Sequence, residues 1–377
     1  MIADLVKTII QTMFRFFPFS TETGLRVIGH PGREAPVFLT CNFELTVIRV
    51  TRALKGLDCY LLVAPSKGIN VWCSAGGGIL NAHSVTSVLK TSGIAEKVDH
   101  RTLVLPQLSA PGIDVTRVAE ETGWRCRFGP AYARDIAGYA EAGFQKTDAM
   151  RQARFPLLDR LEMAVMWATP LSIVAAVLLV IFGQSSLPGA LVLIWGFSLF
   201  VFVFYEQVMR FIPGPVGLVK TLVLGLLGAG GVAAYGLLVG NWGLGNIVAW
   251  SVAILTVALI LGFDLDGSSP LLAGSTVAFW GRKWPWVLRI WSKFGYQLDE
   301  HFELVVDRTA CMGCLTCVEV CPKAVFELYH LNGRQKAWLA HPVACEQCTA
   351  CVKQCPEGAI VATPPIRTFV AARAEVE

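Results

Sequence analysis

Three patterns of apolar and polar positions follow one another along the chain. Between residues 20 and 150, short apolar or β-branched runs alternate with stretches of helical periodicity. The runs Val37–Thr40, Tyr60–Val63, Leu103–Leu105 and Arg125–Phe128 are predicted strands, and helices are expected around 45–55, 82–92, 114–122 and 133–142. This alternation predicts an α/β domain of Rossmann-like type with a mainly parallel sheet, whose ligands bind beyond the carboxyl ends of its strands. Ahead of it, Met1 to Pro18 has scattered charge and no small-residue cleavage site, so an amphipathic first helix is expected rather than a secretory leader.

The second pattern is apolar throughout. From Met163 to Phe263 the only charged side chains are Glu206, Arg210 and Lys220. Four stretches approach the ~20 residues that hydrocarbon requires: Met163–Phe182, Leu187–Tyr205, Val216–Leu238 and Gly243–Phe263. Arg151, Arg154 and Arg160 precede the first, Arg210 lies between the second and third, and Arg282, Lys283, Arg289 and Lys293 follow the fourth. By the positive-inside rule, both soluble ends face the cytoplasm and the protein is a multi-pass protein of the cytoplasmic membrane. Gly228, Gly230 and Gly231 read as small residues that let helices approach closely. No span carries a mid-membrane carboxylate or histidine, which argues against an ion pump. Leu271–Trp280 is too short to cross and, with Trp284, Trp286 and Trp291, is expected at the interface.

The resulting division is an α/β domain at 1–155, a helical transmembrane domain at 161–265, an interfacial linker at 266–300 and an α+β module at 301–365. Composition fits it: 54% of the 377 residues are hydrophobic and 16% charged, with a mean hydropathy of +0.54. That excludes a disordered chain and argues against a purely soluble enzyme. A net charge of +4 is too small and diffuse for a nucleic-acid binder.

Cysteine changes the picture. Eight of the twelve lie between Cys311 and Cys355. Cys311, Cys314, Cys317, Cys321 and Pro322 spell C-x2-C-x2-C-x3-C-P, and Cys345, Cys348, Cys351, Cys355 and Pro356 repeat it. This is the bacterial two-cluster ferredoxin spacing, in which the fourth cysteine serves the other cluster. Cys311, Cys314, Cys317 and Cys355 are therefore expected to hold one [4Fe–4S] centre, and Cys345, Cys348, Cys351 and Cys321 the second. Zinc favours one four-ligand set with a longer gap, and disulfides do not belong in the cytoplasm. Between the halves, Phe326–Leu331, Asn332-Gly333 and Arg334–Leu339 read as a β-hairpin. Such a module moves single electrons, so a recipient is expected elsewhere in the chain.

The predicted strand at Tyr60 runs into Asn70, Val71, Trp72, Cys73, Ser74, Ala75 and Gly76, at the place where the fold puts ligands. A lone cysteine is ordinarily a small buried hydrophobe, but this segment resembles the cap-helix signature of the mercury-methylation corrinoid protein family (HgcA), Asn-[Val/Ile]-Trp-Cys-Ala-[Ala/Ser]-Gly-Lys. Leu105–Gly112 and Phe128-Gly129-Pro130 resemble later segments of the same domain. That family joins a corrinoid domain to a membrane domain and works with a small two-cluster ferredoxin (HgcB). This chain resembles both components fused.

The resemblance implies a cobalamin-type corrinoid bound by Asn70 to Gly76, with Cys73 as catalytic residue and lower cobalt ligand. The function it implies is methyl transfer to an acceptor, Hg(II) in the family-typical case, with the ferredoxin part returning Co(II) to Co(I). Implied partners are membrane lipid, a low-potential electron donor and a methyltransferase that supplies the methyl group. The chain departs from the pattern at Ser74, where the family has Ala, and at Gly77, where it has Lys. The family's ferredoxin bears cysteines beyond its cluster ligands, thought to handle mercury, and none follows Cys355 here. Of the remaining Cys41, Cys59 and Cys126, only Cys41, at a strand exit, is a candidate for the same pocket. Two other readings are a corrinoid methyltransferase with a non-mercury acceptor, and a membrane-anchored electron carrier that binds no cobalt.

Overall fold

The computed structural model describes residues 2–15, 17–182, 186–212, 217–267, 303–331, 333–345 and 348–363. The chain forms two compact units, one of Met1–Phe17 with Arg154–Ser268 and one of Pro18–Ala153 with Ser269–Glu377. The expected 1–155 domain is thus divided by its packing: α1 (Ile2–Met13) lies against apolar helix α9 (Leu157–Phe182) within the first unit. A helical pattern shows which face is apolar and does not name the surface that covers it.

In the second unit, β1 (Gly24–Ile28), β2 (Val37–Cys41), α2 (Glu44–Ala53), β3 (Cys59–Ala64), α3 (Val71–Gly76), α4 (Ala82–Thr91), α5 (Ile94–Lys97), β4 (Thr102–Leu105), α6 (Val115–Thr122), β5 (Arg125–Phe128), α7 (Ile136–Glu141) and α8 (Asp148–Arg151) build the α/β part. Its sheet has the order β1-β3-β2-β4-β5. The pairs β2–β3, β2–β4 and β4–β5 are parallel, as the alternating pattern predicts, while β1 adds an antiparallel edge. Successive side chains of β2 and β3 serve opposite faces. Val37, Leu39, Tyr60 and Leu62 enter one core with α4 and α6, and Phe38, Leu61 and Val63 enter another with α2 and α7. Burial on both faces explains why these strands read as unbroken apolar runs. The strand order reverses between β2 and β4, so the crevice at their carboxyl ends is the position for a ligand.

The same unit ends in β6 (Glu303–Val306), α14 (Thr316–Val320), β7 (Phe326–Leu331), β8 (Arg334–Leu339), α15 (Ala350–Gln354) and β9 (Ile360–Thr363). β6 pairs antiparallel with β9. The expected hairpin is present, with Leu331 opposite Arg334; Asn332 of its turn lies outside the described residues, and Gly333 has φ +72. The two motifs are alike in backbone as well as in sequence. Leu315 and Thr349, each after a motif's second cysteine, have φ of +67 and +60. Ala324 and Gly358, each three residues after the motif's fourth cysteine, have φ of +51 and +58. Three of these four are not glycine, and a left-handed conformation kept at matching places points to a loop shape imposed by function.

In the first unit, α9, α10 (Leu187–Val203), α11 (Tyr205–Phe211), α12 (Gly217–Leu238) and α13 (Leu244–Gly267) follow in order. Among the described residues, three helices are long and apolar enough to cross a membrane: Leu157–Val180, Val219–Leu238 and Leu244–Gly262. Four were expected. The remaining α10 is apolar but has 17 residues, about 26 Å of helix against about 30 Å of hydrocarbon. Trp195 Nε1 donates to Ser172 Oγ at 3.0 Å, tying α10 to α9, and Arg160 is paired with Glu206. Of the expected small-residue contacts, Gly228 packs α12 on Ile254 of α13, while Gly230 and Gly231 face open space. The expected interfacial segment Leu271–Trp280 and the tryptophans after it lie outside the described residues.

Candidate functional site

The cap segment becomes a short helix because Asn70 ends the preceding extended chain and caps it. With φ −61 and ψ 163, Asn70 accepts from the Cys73 N–H through Oδ1 at 3.0 Å. Its Nδ2 lies 3.4 Å from Cys73 Sγ, so one amide both starts the helix and aims a donor at the sulfur. Cys73 is exposed, Trp72 half-buried, and Val71 and Ala75 are packed into the core. Ser74 is fully buried, a costly place for a hydroxyl without partners. It donates to Asn70 O at 2.6 Å and lies 3.2 Å from Val71 O, so serine is accommodated where the resembled motif has alanine.

Sequence reasoning missed the residue that fixes the approach to this helix. Asn42, at the end of β2, accepts from Ser66 N and Ser66 Oγ at 2.9 Å and from Gly68 N at 3.0 Å. It therefore locks the β3 exit loop to the next strand, and with it the start of α3. We expect Asn70→Ala to weaken the cap helix by about 1 kcal/mol. Asn70→Asp keeps the acceptor and loses the donor to sulfur. If both roles are real, Asp restores helix protection in hydrogen exchange while still altering the absorption of any metal bound to Cys73; an unaltered metal spectrum in both variants would remove the second role.

The other unassigned thiols do not join Cys73. Cys41 and Cys59 are fully buried and Cys126 is half-buried. Burial raises the Cys41 thiol above its ordinary value and pushes Cys59 and Cys126 up to about 11 and about 12. Cys41 thus lies within the sheet core rather than open at the strand exit.

The motif cysteines surround two cavities. Cys311, Cys314, Cys317 and Cys355 line one, walled by Leu315, Ala337 and Ile360. Cys321, Cys345, Cys348 and Cys351 line the other, walled by Leu304, Val325 and Phe326. Each cavity therefore takes three thiols from one motif and the fourth from the other. Four soft donors around an apolar space suit an iron–sulfur centre. Burial pushes Cys317 up to about 12 and raises Cys351 well above the ordinary thiol value, so coordination would replace protons that the thiols otherwise keep. The Val325 N–H lies 3.4 Å from Cys321 Sγ, a donor of the kind that tunes cluster sulfurs.

Both motif helices dock on the segment that leaves β4. Gln107, 1% exposed, donates from Nε2 to Glu319 O at 2.6 Å and accepts from Lys146 Nζ at 2.6 Å. Lys146 also pairs with Glu319 Oε2 at 3.0 Å, and Arg151 with Glu319 Oε1 at 2.8 Å. Burial pulls the Lys146 ammonium below the ordinary lysine value, with Glu319 opposing that shift. From α15, Gln354 Nε2 donates to Ala110 O at 2.9 Å and Ile113 O at 2.7 Å, and Lys353 Nζ to Pro111 O at 2.7 Å. Gln107 and Lys146 are 39 residues apart and the other partners more than 150, so nothing local in the sequence announces them.

Comparison with known proteins gives two separate matches along the chain. Residues 7–140 match the family described as CO dehydrogenase/acetyl-CoA synthase delta subunit, and residues 299–360 match the 4Fe-4S dicluster domain. The acetyl-CoA decarbonylase/synthase complex subunit gamma of Archaeoglobus fulgidus is 39% identical over 126 residues, covering 33% of this chain and 26% of that protein. Its namesake from Methanocaldococcus jannaschii is 35% identical over 133 residues, covering 34% and 26%. That from Methanothermobacter thermautotrophicus is 35% identical over 126 residues, covering 33% and 27%. The chain thus spans about a quarter of the length of these relatives.

Proposed function

We propose that this protein is a membrane-bound corrinoid iron–sulfur protein that carries a methyl group to an acceptor, with its electron supply fused in the same chain. The observation that carries the reading is a single one: two four-thiol cavities are docked on the segment that backs an exposed, capped Cys73 beyond a parallel sheet. When bound, the corrinoid would supply a cobalt centre able to take up and release a methyl group, and two [4Fe–4S] clusters would supply single low-potential electrons.

The chain's own residues have the following tasks. Cys73 would hold the cobalt through its sulfur, a soft thiolate donor suited to that metal. Asn70 orients that sulfur, and Val71, Trp72, Ser74, Ala75 and Gly76 hold the helix that presents it. Cys311, Cys314, Cys317 and Cys355 would hold one cluster, and Cys345, Cys348, Cys351 and Cys321 the other. Residues 161–265 anchor the protein in the cytoplasmic membrane, with the soluble parts on the cytoplasmic side, where the arginines flanking the apolar stretch favour them. A methyltransferase and a low-potential electron donor are the partners this chemistry demands.

For the acceptor, Hg(II) follows from the resemblance of the cap segment. A second reading, an acceptor other than mercury, is favoured by the thiols: Cys41 and Cys59 are fully buried and Cys126 is half-buried, so none of the three presents the second exposed thiolate that Hg(II) favours. The test is single-turnover transfer from methyl-loaded protein under anaerobic conditions. Methylmercury formed in proportion to the methyl group lost supports mercury; loss of the methyl group only to a thiol or a partner protein's metal site supports the second reading.

A further inference from the structure

The loop Gln107–Ile113 lies between the two chemistries of this unit. On one side it backs the cap helix: a Cβ on Gly112 would stand 2.7 Å from Ala75 Cα, so glycine brings the two backbones into contact two residues from Cys73. On the other side it is gripped by the cluster module. The grip is uneven. At the Gln107 end it is the Glu319 carbonyl, two residues from Cys317 and from Cys321 alike. At the Ala110–Ile113 end it is three bonds from Lys353 and Gln354, and Gln354 is covalently next to Cys355. Cys355 completes the cavity with Cys311, Cys314 and Cys317. Ala110 and Gln354 are both buried, so this contact is dry.

We infer that the centre completed by Cys355 is the one that faces Cys73 and delivers electrons to a cofactor held there, by way of Gln354 and the Ala110–Gly112 segment. The centre completed by Cys321 takes up electrons from the external donor. One electron leaves the Cys355 centre, which is oxidised by one, and reduces the cofactor metal by one; a low-potential one-electron donor then restores the pair through the other centre. Gln354 and Lys353 are positioning residues. The electron assignment rests on the proposed function, whereas the proximity does not.

Proximity is tested without the corrinoid. In cluster-loaded protein carrying Cys126→Ser, a nitroxide on Cys73 is selective because Cys41 and Cys59 are fully buried. Chemically reduced clusters will speed the label's relaxation. Cys314→Ala will remove most of that enhancement and Cys348→Ala will leave most of it; the reverse order, or equal losses, overturns the inference. Should either variant lose both clusters, Gln354→Leu decides. With corrinoid bound and iron content unchanged, it will slow cofactor reduction about tenfold, the scale of two lost hydrogen bonds. An unchanged rate contradicts the assignment. A protein that takes up no corrinoid defeats the proposed function and leaves the relaxation result standing.

Discussion

Cys355→Ser will cost the protein the same iron–sulfur centre as Cys314→Ser, although the two residues belong to different motifs. Cys321→Ser will likewise match Cys348→Ser. The reason is geometric: the first three thiols of each motif lie on one loop and the first turn of the helix that follows it, and the fourth side of each cavity is closed by the cysteine that ends the opposite motif helix. Each variant should keep about four of eight irons. The residual paramagnetic signal of the reduced protein should fall into two classes, one for Cys311, Cys314, Cys317 and Cys355 and one for the other four. Grouping by motif, with Cys355→Ser resembling Cys348→Ser, would mean that the cavities do not hold the clusters as assigned.

The second large effect is expected at Cys73. Its side chain is exposed and contributes little to the core, so Cys73→Ala should change stability by no more than about 0.5 kcal/mol. Both clusters should remain. The cobalt spectrum should lose its thiolate character, and methyl transfer should fall by at least about 100-fold, the upper range for losing an outer-shell partner and a lower bound for losing a ligand. A stable, iron-replete variant with an unchanged cobalt spectrum would exclude Cys73 as ligand.

What could be read from the sequence follows the range of the physics. The parallel strands were legible because burial on both faces writes them as apolar runs, and β2 and β3 lie where those runs predict. Cluster chemistry fixes the spacing from which the crossed cysteine sets were expected, and the two cavities group the thiols in those sets. β1 was not: Gly24–Ile28 is only partly buried, and its partner strand begins more than 30 residues later. Nor was the division of the first domain, since an amphipathic helix does not specify its partner. The docking residues Gln107, Lys146, Glu319 and Gln354 are ordinary polar residues in sequence. Their roles come from buried bonds between segments far apart in the chain, which no periodicity records.

Metal and cofactor analysis of anaerobically purified protein tests the proposal that the α/β part holds a corrinoid through Cys73. Near-stoichiometric corrinoid is expected alongside about eight irons, with cobalt in a thiolate environment. Eight irons without cobalt, persisting after reconstitution with corrinoid, would contradict it and leave a membrane-anchored electron carrier.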